Sequence, residues 1–279
     1  MREGGAIAAA FVAACHAELE APKPGNVHRF AAGHGMTAAD FERSAAAAAP
    51  GLCRAGAGLG ARIRDAVIAT RAALGQNTNL GIVLLAAPLA MAAERGGDPR
   101  AALHAVLAAA DLADTEAIFR AITLAAPGGL GDAPRHDVRA PARVPILRAM
   151  AEAAARDSIA RQWSSDFADI FALGLPARAA RWARQAGAYW PTLAVYFTFL
   201  ARFPDSHILR KHGTAAAARV RATAALWQDR LARAAKPAEL LPELLAWDAE
   251  LKAEAINPGT SADLTVATLF IERLLELPH

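Results

Sequence analysis

Alanine is the feature that most limits what this chain can fold into. Of its 279 residues, 54% are hydrophobic but only 6% are aromatic, and alanine makes up most of the difference. Alanine is the strongest helix former, and small side chains let helices pack closely together. No stretch alternates apolar and polar residues for long enough to indicate a sheet. The sequence therefore predicts an all-α fold: a single compact multi-helix domain over residues 1–279.

The charge and cysteine content argue against several classes of partner. The formal net charge is +3, and the basic residues are spread along the chain instead of forming a run with interleaved aromatic residues. Nucleic acid is therefore not an expected ligand. Cys15 and Cys53 form neither a C-x-x-C pair nor a cluster with zinc spacing. Two free thiols suit a reducing compartment, which predicts a cytoplasmic protein.

Two apolar stretches imitate export or membrane signals but are better interpreted as core helices. Near the N-terminus, Ile7, Phe11, Cys15 and Leu19 recur every four residues, which is the spacing of one helix face. The uncharged run over residues 72–93 is interrupted by a glycine, a polar Gln-Asn-Thr-Asn stretch and a proline. Such interruptions are unfavourable in a membrane span. We expect neither export nor membrane insertion.

Glycine and proline divide the chain into helices. Asp98-Pro99 predicts an N-cap followed by proline at the first helical position, and Asp114 predicts a second N-cap. After the longest break, over residues 127–145, one helical run is predicted over 146–173. Pro191 predicts a kink. We expect the active site to be built from the loops at the helix N-termini.

The first chemically rich loop is Pro22-Lys23-Pro24-Gly25-Asn26-Val27-His28-Arg29. Two prolines stiffen it, and its glycine can take a positive φ. Lys23, His28 and Arg29 lie close together, and a rigid backbone that presents Lys and Arg suits a phosphate group. A turn with solvated charges is an equally good interpretation of the local pattern.

The second loop, Gln76-Asn77-Thr78-Asn79-Leu80-Gly81, stands at the start of the most apolar helix. Free N–H groups at a helix N-terminus bind anions, and the two asparagine carboxamides are suited to a base or ribose edge. An asparagine N-cap is the simpler alternative. The number of polar groups entering so apolar a helix favours a ligand site.

The third loop is Asp205-Ser206-His207-Ile208-Leu209-Arg210-Lys211-His212-Gly213. An acidic residue followed by a dense cationic patch suits a metal-bridged polyphosphate. Asp205 would bind Mg²⁺, and Arg210 and Lys211 would bind phosphate oxygens. The alternative is an Asp205 N-cap followed by an ordinary basic surface turn.

The fourth loop is Asn257-Pro258-Gly259-Thr260-Ser261-Ala262-Asp263. Thr260 and Asp263 fit a capping box, which explains both without any function. The loop also places helix N–H groups beside the hydroxyls of Thr260 and Ser261, which suits phosphate. A buried Asp263 would need a partner.

Taken in this order, the loops resemble the triphosphoribosyl-dephospho-CoA synthase family. The resemblance rests on four segments, PKPGNV, NTNLG, DSHILRKHG and PGTSADL, which together span residues 22–264. The chain has no P-loop, dinucleotide fingerprint, nucleophile elbow or H-E-x-x-H motif. The resemblance implies an all-helical, ATP-dependent triphosphoribosyltransferase whose nucleotide site is unlike a P-loop.

The resemblance also implies a particular reaction. The ribose 2′-hydroxyl of 3′-dephospho-CoA attacks C1′ of the ATP ribose, adenine leaves, and the triphosphate is kept. The product is the prosthetic-group precursor for an acyl carrier subunit of citrate lyase or malonate decarboxylase. Such chemistry needs a general base, hydrogen-bond donors for the leaving adenine, and a carboxylate near an oxocarbenium-like transition state. The triphosphate needs Mg²⁺ with Lys or Arg.

The requirements of this reaction suggest a role for each candidate residue. Asp205 and Asp263 are expected as metal ligands or as the carboxylates that stabilise the cation, with His207 as a further catalytic residue. Mg²⁺ is the expected cofactor, with ATP as the substrate. Contacts to substrate and phosphate are expected from Lys23, Gly25, Asn26, His28, Arg29, Asn77, Thr78, Asn79, Arg210, Lys211, Gly259, Thr260 and Ser261.

Three departures from the family pattern indicate a divergent branch. Asn79-Leu80 stands where the family commonly has His and Lys. Residues 127–137 lack the usual Glu residues, and Asp205-Ser206-His207 replaces Asp-Thr-Asn. Two other functions therefore stay open: a transferase or hydrolase for another phosphorylated nucleotide or diphosphate in a different cofactor pathway, and a non-catalytic helical binding protein. A binding protein would leave the loops scattered, whereas an enzyme requires them to converge. The alanine-rich surface is compatible with a homodimer.

Overall fold

The chain is helical throughout the part that the structure describes. A computed structural model describes residues 4–131, 133 and 135–278, so Asp132 and Pro134 of the predicted middle break lie outside the described residues. Within those ranges the only β-type pairings are two isolated bridges in one loop. The predicted all-α fold is confirmed.

The helices follow one another with short connections, except for two long ones: residues 20–37 between the first and second helices, and residues 126–145 between the sixth and seventh. The described α-helices are α1 (Gly4–Leu19), α2 (Ala38–Leu52), α3 (Leu59–Leu74), α4 (Leu80–Arg95), α5 (Pro99–Ala108), α6 (Leu112–Ala125), α7 (Ile146–Ala153), α8 (Ser158–Ser164), α9 (Leu175–Arg178), α10 (Arg181–Ala186), α11 (Trp190–Arg202), α12 (Ser206–Arg233), α13 (Leu241–Ala253) and α14 (Gly259–Glu276). A π-helical turn, Ile170–Gly174, precedes α9, and a 3₁₀ turn, Pro237–Leu240, precedes α13.

The described residues divide into two compact units. Unit 1 is drawn from Met1–Cys15, Asp40–Ala168 and Phe270–His279, and unit 2 from His16–Ala39 and Asp169–Leu269. Helices α1, α2 and α14 each contribute residues to both units. The prediction of one domain over the whole chain stays a prediction.

Small residues and one buried ion pair hold unit 1 together. Helix α3 packs along α6, and α4 packs against α3, α5 and α8. A Cβ at Gly60 would lie 2.6 Å from the carbonyl oxygen of Asp114, so only glycine permits this approach of α3 to α6. The buried guanidinium of Arg62 donates two hydrogen bonds, of 2.8 and 2.7 Å, to the Glu94 carboxylate and ties α3 to α4.

Aromatic side chains fix three helices of unit 2. Trp227 of α12 and Trp247 of α13 stack with their centroids 6.3 Å apart, and Phe197 of α11 lies 6.2 Å from Trp247. On α11, the buried Tyr196 donates its hydroxyl hydrogen to the carbonyl oxygen of Pro24 at 2.7 Å. The same core that joins α11, α12 and α13 therefore anchors the first predicted loop.

The prediction of one helix over residues 146–173 is wrong. This stretch forms α7, α8 and the π-helical turn. Asp157 accepts hydrogen bonds from the N–H groups of Ile159 and Ala160 and so starts a new helix. An aspartate inside a helical pattern is a cap signal, and here the cap prevails over the apolar periodicity.

Two other boundary predictions are corrected and one is confirmed. The N-cap of α6 is Asp111, and Asp114 completes the capping box from the N3 position. Pro191 lies in the first turn of α11 and starts that helix instead of kinking it. Asp98 caps α5, with Pro99 in the first turn, as predicted.

No single helix of the described residues is long and apolar enough to cross a membrane. Helices α4 and α5 reach the required length and composition only as a pair, and they are bent by 115° at the break between them. Most of α4 is buried.

Candidate active site

The first predicted loop is buried in unit 2, and Lys23 is fully enclosed. Its ammonium lies 3.0 Å from Oε1 of Glu18, and it donates to the carbonyl oxygens of Glu18 at 3.1 Å and Val27 at 2.7 Å. The three N–H donors of the Lys23 ammonium therefore bind three protein oxygens. Burial lowers the pKa of Lys23, while the paired Glu18 carboxylate acts in the opposite direction. The structure places this lysine inside the fold, and its predicted phosphate contact stays a prediction.

Gly25 is the tightest point of the loop. Its φ is +79°, and an added Cβ would lie 2.8 Å from Cδ of Pro258 and 3.0 Å from the carbonyl oxygen of Ile256. Its N–H donates to Oδ1 of Asp248 at 2.8 Å, and its carbonyl oxygen is 2.8 Å from Nε2 of His34. Both the space and the backbone conformation therefore require glycine.

Asp248 and Lys252 of α13 hold the same loop from the other side. Oδ2 of Asp248 accepts from Lys252 at 2.9 Å and lies 3.2 Å from Nε2 of the buried His28. Lys252 also donates to the carbonyl oxygen of Ala31 at 3.2 Å. Burial raises the pKa of Asp248, but the hydrogen bonds from His28 and Lys252 outweigh it and lower the pKa overall.

The remaining predicted residues of the first loop have different surroundings. Burial lowers the pKa of His28, and its Nδ1 atom has no hydrogen-bond partner among the described residues. The carboxamide of Asn26 donates to Oδ1 of Asn257 at 2.8 Å, which joins the first loop to the fourth. Arg29 is exposed and forms an ion pair with Glu20.

Asp205 joins the third loop to the fourth. It caps α12, with Oδ1 accepting from the N–H groups of His207 at 2.9 Å and Ile208 at 3.2 Å. Oδ2 accepts from the N–H of Ser261 at 2.7 Å and from its hydroxyl at 2.8 Å. Only 3% of Asp205 is exposed, and this burial raises its pKa, although the four hydrogen bonds oppose the rise. One carboxylate therefore fixes the N-termini of both α12 and α14.

A cluster of cationic and titratable side chains lies at the start of α12. His207 is half-buried, whereas Arg210, Lys211 and His212 are exposed. Burial lowers the pKa of His207 to about 4, and the positive charges of Arg210 and Lys211 contribute, followed by those of His34 and His212. These five residues form what we call the cationic cluster. Its electrostatic field favours an anionic ligand.

Glycines shape the surroundings of the cluster. A Cβ at Gly259, the first residue of α14, would lie 2.6 Å from Nδ1 of His207. Gly213 has φ +79° and ψ 179°, and it breaks α12 directly after the cluster. His207 therefore lies against the N-terminus of α14, beside Thr260 and Ser261, which are both buried. A helix N-terminus adds partial positive charge to the cluster.

The second predicted loop belongs to unit 1. Oδ1 of Asn77 accepts from the N–H of Leu80 at 3.1 Å and starts α4. Asn79 is buried, and its carboxamide donates to Oγ1 of Thr70 at 3.1 Å. The hydroxyl of Thr78 is hydrogen-bonded to that of Ser44. The N-cap position itself is Asn79, whose side chain makes no capping hydrogen bond.

The first, third and fourth loops meet within unit 2 through the contacts of Gly25, Asn26 and Asp205 described above. Sequence reasoning missed Asp248, Lys252, His34 and Tyr196. A signal for Asp248 existed: it lies on the helical face of Leu244 and Leu251, where an apolar residue is normal. Asp263 is half-buried one turn into α14, whereas its neighbours Ala262 and Leu264 are buried.

The fold and the sequence define a class of protein: an all-helical protein with a cationic cluster at a helix N-terminus and without a P-loop motif. The chain belongs to the ATP:dephospho-CoA triphosphoribosyl transferase family, whose model matches residues 5–278. The predicted family is confirmed, and with it the prediction of an enzyme that uses ATP and dephospho-CoA.

A solved structure supports the fold. A crystal structure from Archaeoglobus fulgidus, provisionally described as a triphosphoribosyl-dephospho-CoA synthase, has 24% sequence identity to this chain. The match covers 83% of this chain and 96% of that chain, with a TM-score of 0.62. At this identity the similarity concerns the fold alone. No sequence among curated proteins matches the chain.

Proposed function

We propose that this chain transfers the 5-triphosphoribosyl group of ATP to the ribose 2′-hydroxyl of 3′-dephospho-CoA and releases adenine. Family membership supplies the reaction, and the observation that ties it to this chain is the cationic cluster against the N-terminus of α14. Arg210 and Lys211 are exposed at the cluster and bind the triphosphate. The buried first loop supports them from within unit 2.

Lys23 and Asp205 act in this proposal by positioning other groups. All three donors of Lys23 are bound to protein oxygens, and both oxygens of Asp205 are bound to protein donors. Lys23 stabilises the first loop, and Asp205 fixes the helix N-termini beside His207. Substrate contact falls instead to the exposed cations and to the first turn of α14.

Mg²⁺ would be held at this site together with the triphosphate. No group of three His, Cys, Asp or Glu side chains suited to a metal occurs in the described ranges. Asp205 fits a metal ligand poorly, because four hydrogen-bond donors occupy its oxygens. The half-buried Asp263 is the carboxylate we propose for Mg²⁺, which commonly takes one or two carboxylates and completes its shell with phosphate and water. The ion would neutralise charge on the triphosphate.

His207 is the acid of the proposed reaction. It is neutral in the free protein because burial and the neighbouring cations lower its pKa to about 4. A bound triphosphate places negative charge beside the ring and so favours its protonated form. His207 then donates a proton as adenine leaves with the electron pair of the C1′–N9 bond.

The pKa of His207 is therefore expected to rise when a triphosphate binds. NMR titration of the His207 ring should give a pKa near 4 in the free protein. With saturating inorganic tripolyphosphate the value should rise by about 1–3 pH units, the range caused by an opposite charge within ~4–6 Å. Potassium chloride at equal ionic strength controls for screening. An unchanged pKa in the presence of bound tripolyphosphate would remove His207 from the phosphate site.

Neutralising the exposed cations is expected to weaken ATP binding. The double variant Arg210→Gln with Lys211→Gln should raise the Kd for ATP at least about tenfold, which corresponds to about 1.4 kcal/mol. Arg233→Gln is the control, since Arg233 is exposed on the same helix and lies outside the cationic cluster. Isothermal titration calorimetry measures both. Equal Kd values for the double variant and the control would contradict this assignment of the triphosphate site.

The proposed function is tested by incubating the protein with ATP, Mg²⁺ and 3′-dephospho-CoA and measuring free adenine by chromatography. We expect adenine only when all three are present. Tight ATP binding without adenine would favour another phosphorylated acceptor. We place the reaction in the cytoplasm, in keeping with two free cysteines, and the homodimer stays a prediction.

A further inference from the structure

His34 occupies a backbone position that is unusual for a side chain. Gly33 and Met36 exchange two hydrogen bonds, of 3.0 and 2.9 Å, which closes a two-residue turn. Both central residues have positive φ, 55° at His34 and 74° at Gly35, as in a type I′ turn. A non-glycine residue here costs about 1 kcal/mol, and such strain is often found at functional sites.

The imidazole of His34 is held in one tautomer. Its Nε2 atom lies 2.8 Å from the carbonyl oxygen of Gly25. A carbonyl oxygen only accepts, so Nε2 must carry the hydrogen, and in the neutral ring Nδ1 carries the lone pair. The Gly25 peptide is itself fixed, because its N–H is bound to Asp248. This is the arrangement of a base oriented by a second group.

The His34 ring also lies near charged and titratable side chains. It is half-buried and lies within electrostatic reach of His207 of α12, with which it belongs to the cationic cluster. From α13, Lys252 reaches the same turn: its Cε would lie 2.9 Å from a Cβ at Gly33. His34 therefore lies near His207 of α12, and its turn lies against Lys252 of α13. An imidazole nitrogen that carries a lone pair beside this cluster is suited to accept a proton from a hydroxyl that reacts next to a polyphosphate.

We propose that Nδ1 of His34 is the general base that takes the proton from the attacking 2′-hydroxyl. The inference rests on the proposed function. As the hydroxyl proton passes to Nδ1, the 2′-oxygen forms a bond to C1′ and the C1′–N9 bond breaks. The electron pair leaves with adenine, which takes up a proton from His207. His34 then returns its proton to solvent and His207 regains one, so the net reaction releases neutral adenine and no proton is left over.

The test compares variants that keep the turn. Asn adopts positive φ readily, so His34→Asn removes the base with little change in the backbone. We expect kcat for adenine release to fall about 10²- to 10⁴-fold, as is typical for loss of a general base, while the Kd values for ATP and dephospho-CoA stay within about threefold. His104→Asn is the control, since His104 is an exposed histidine of unit 1.

A second variant separates chemistry from structure. His34→Gly keeps a residue that tolerates positive φ and leaves room for free imidazole, which should restore part of the lost rate. Retention of more than about a third of the wild-type kcat by His34→Asn, or a loss that imidazole leaves unchanged in His34→Gly, would overturn the assignment while leaving the function intact. If the wild-type protein released no adenine, both the assignment of His34 and the proposed function would be overturned.

Discussion

Replacing Asp205 with alanine is expected to lower the free energy of unfolding by about 3–5 kcal/mol, one of the two largest effects we anticipate. The variant loses the N-cap of α12, which is worth about 1–2 kcal/mol. It also leaves the buried N–H and hydroxyl of Ser261 without their acceptor, and such unsatisfied donors cost about 1–3 kcal/mol each. Chemical denaturation monitored by circular dichroism measures the change.

Two further variants identify the source of the Asp205 effect. Asp98 caps α5 at an exposed position with one hydrogen bond to Ala101, so Asp98→Ala should cost only about 1 kcal/mol. Asp205→Asn keeps one acceptor oxygen but presents an amide NH₂ group to the other pair of donors. Its loss of unfolding free energy should therefore lie between those of Asp205→Ala and Asp98→Ala. If Asp205→Ala were no more destabilising than Asp98→Ala, Asp205 would act as a simple cap and the bond to α14 would contribute nothing.

The second large effect is expected at Gly25. In Gly25→Ala, the new methyl group would lie 2.8 Å from Cδ of Pro258 and 3.1 Å from Cβ of Leu251, and the backbone φ is +79°. The conformational strain alone costs about 1–2 kcal/mol, and the contacts force the first loop away from α13. We expect a total of at least about 3 kcal/mol, measured by denaturation, together with loss of the Asp248 hydrogen bond.

Gly75 provides the matched control for Gly25. Its φ is +70°, and nothing lies within 4 Å of an added Cβ, so Gly75→Ala isolates the backbone strain at about 1 kcal/mol. The difference between the two variants measures the steric contribution of the loop's packing on Pro258 and Leu251. Equal destabilisation by Gly25→Ala and Gly75→Ala would show that the first loop is not packed as described.

The sequence predicted features that depend on nearby residues. The cap at Asp98 and the cap that Asp205 forms on α12 follow from hydrogen bonds spanning two or three residues, which local rules capture. The second half of the Asp205 interaction was not predictable in this way, because Ser261 lies 56 residues further along the chain. Gly25 and Asp248 are 223 residues apart. Such pairs become neighbours only when the helices pack.

Lys23 and His34 illustrate two other limits. Lysine is almost never fully buried, so a solvated or phosphate-bound Lys23 was the natural expectation. Its burial depends on the Glu18 carboxylate and the Val27 carbonyl reaching the same point. His34 lies between two glycines, and this pattern indicates a turn. It does not reveal that the carbonyl oxygen of Gly25 fixes the tautomer of the His34 ring. The family resemblance identified the loops, whereas the roles within them required the fold.

In the proposed reaction, the chain moves a triphosphoribosyl group from ATP to dephospho-CoA. The most direct measurement is the stoichiometry of a single reaction, with adenine quantified by chromatography and the acceptor followed by mass spectrometry. The account predicts one adenine for each dephospho-CoA that gains a triphosphoribosyl group, with no ADP or AMP formed. Adenine without a mass change in dephospho-CoA, or nucleotide cleavage at the phosphates without adenine, would contradict it.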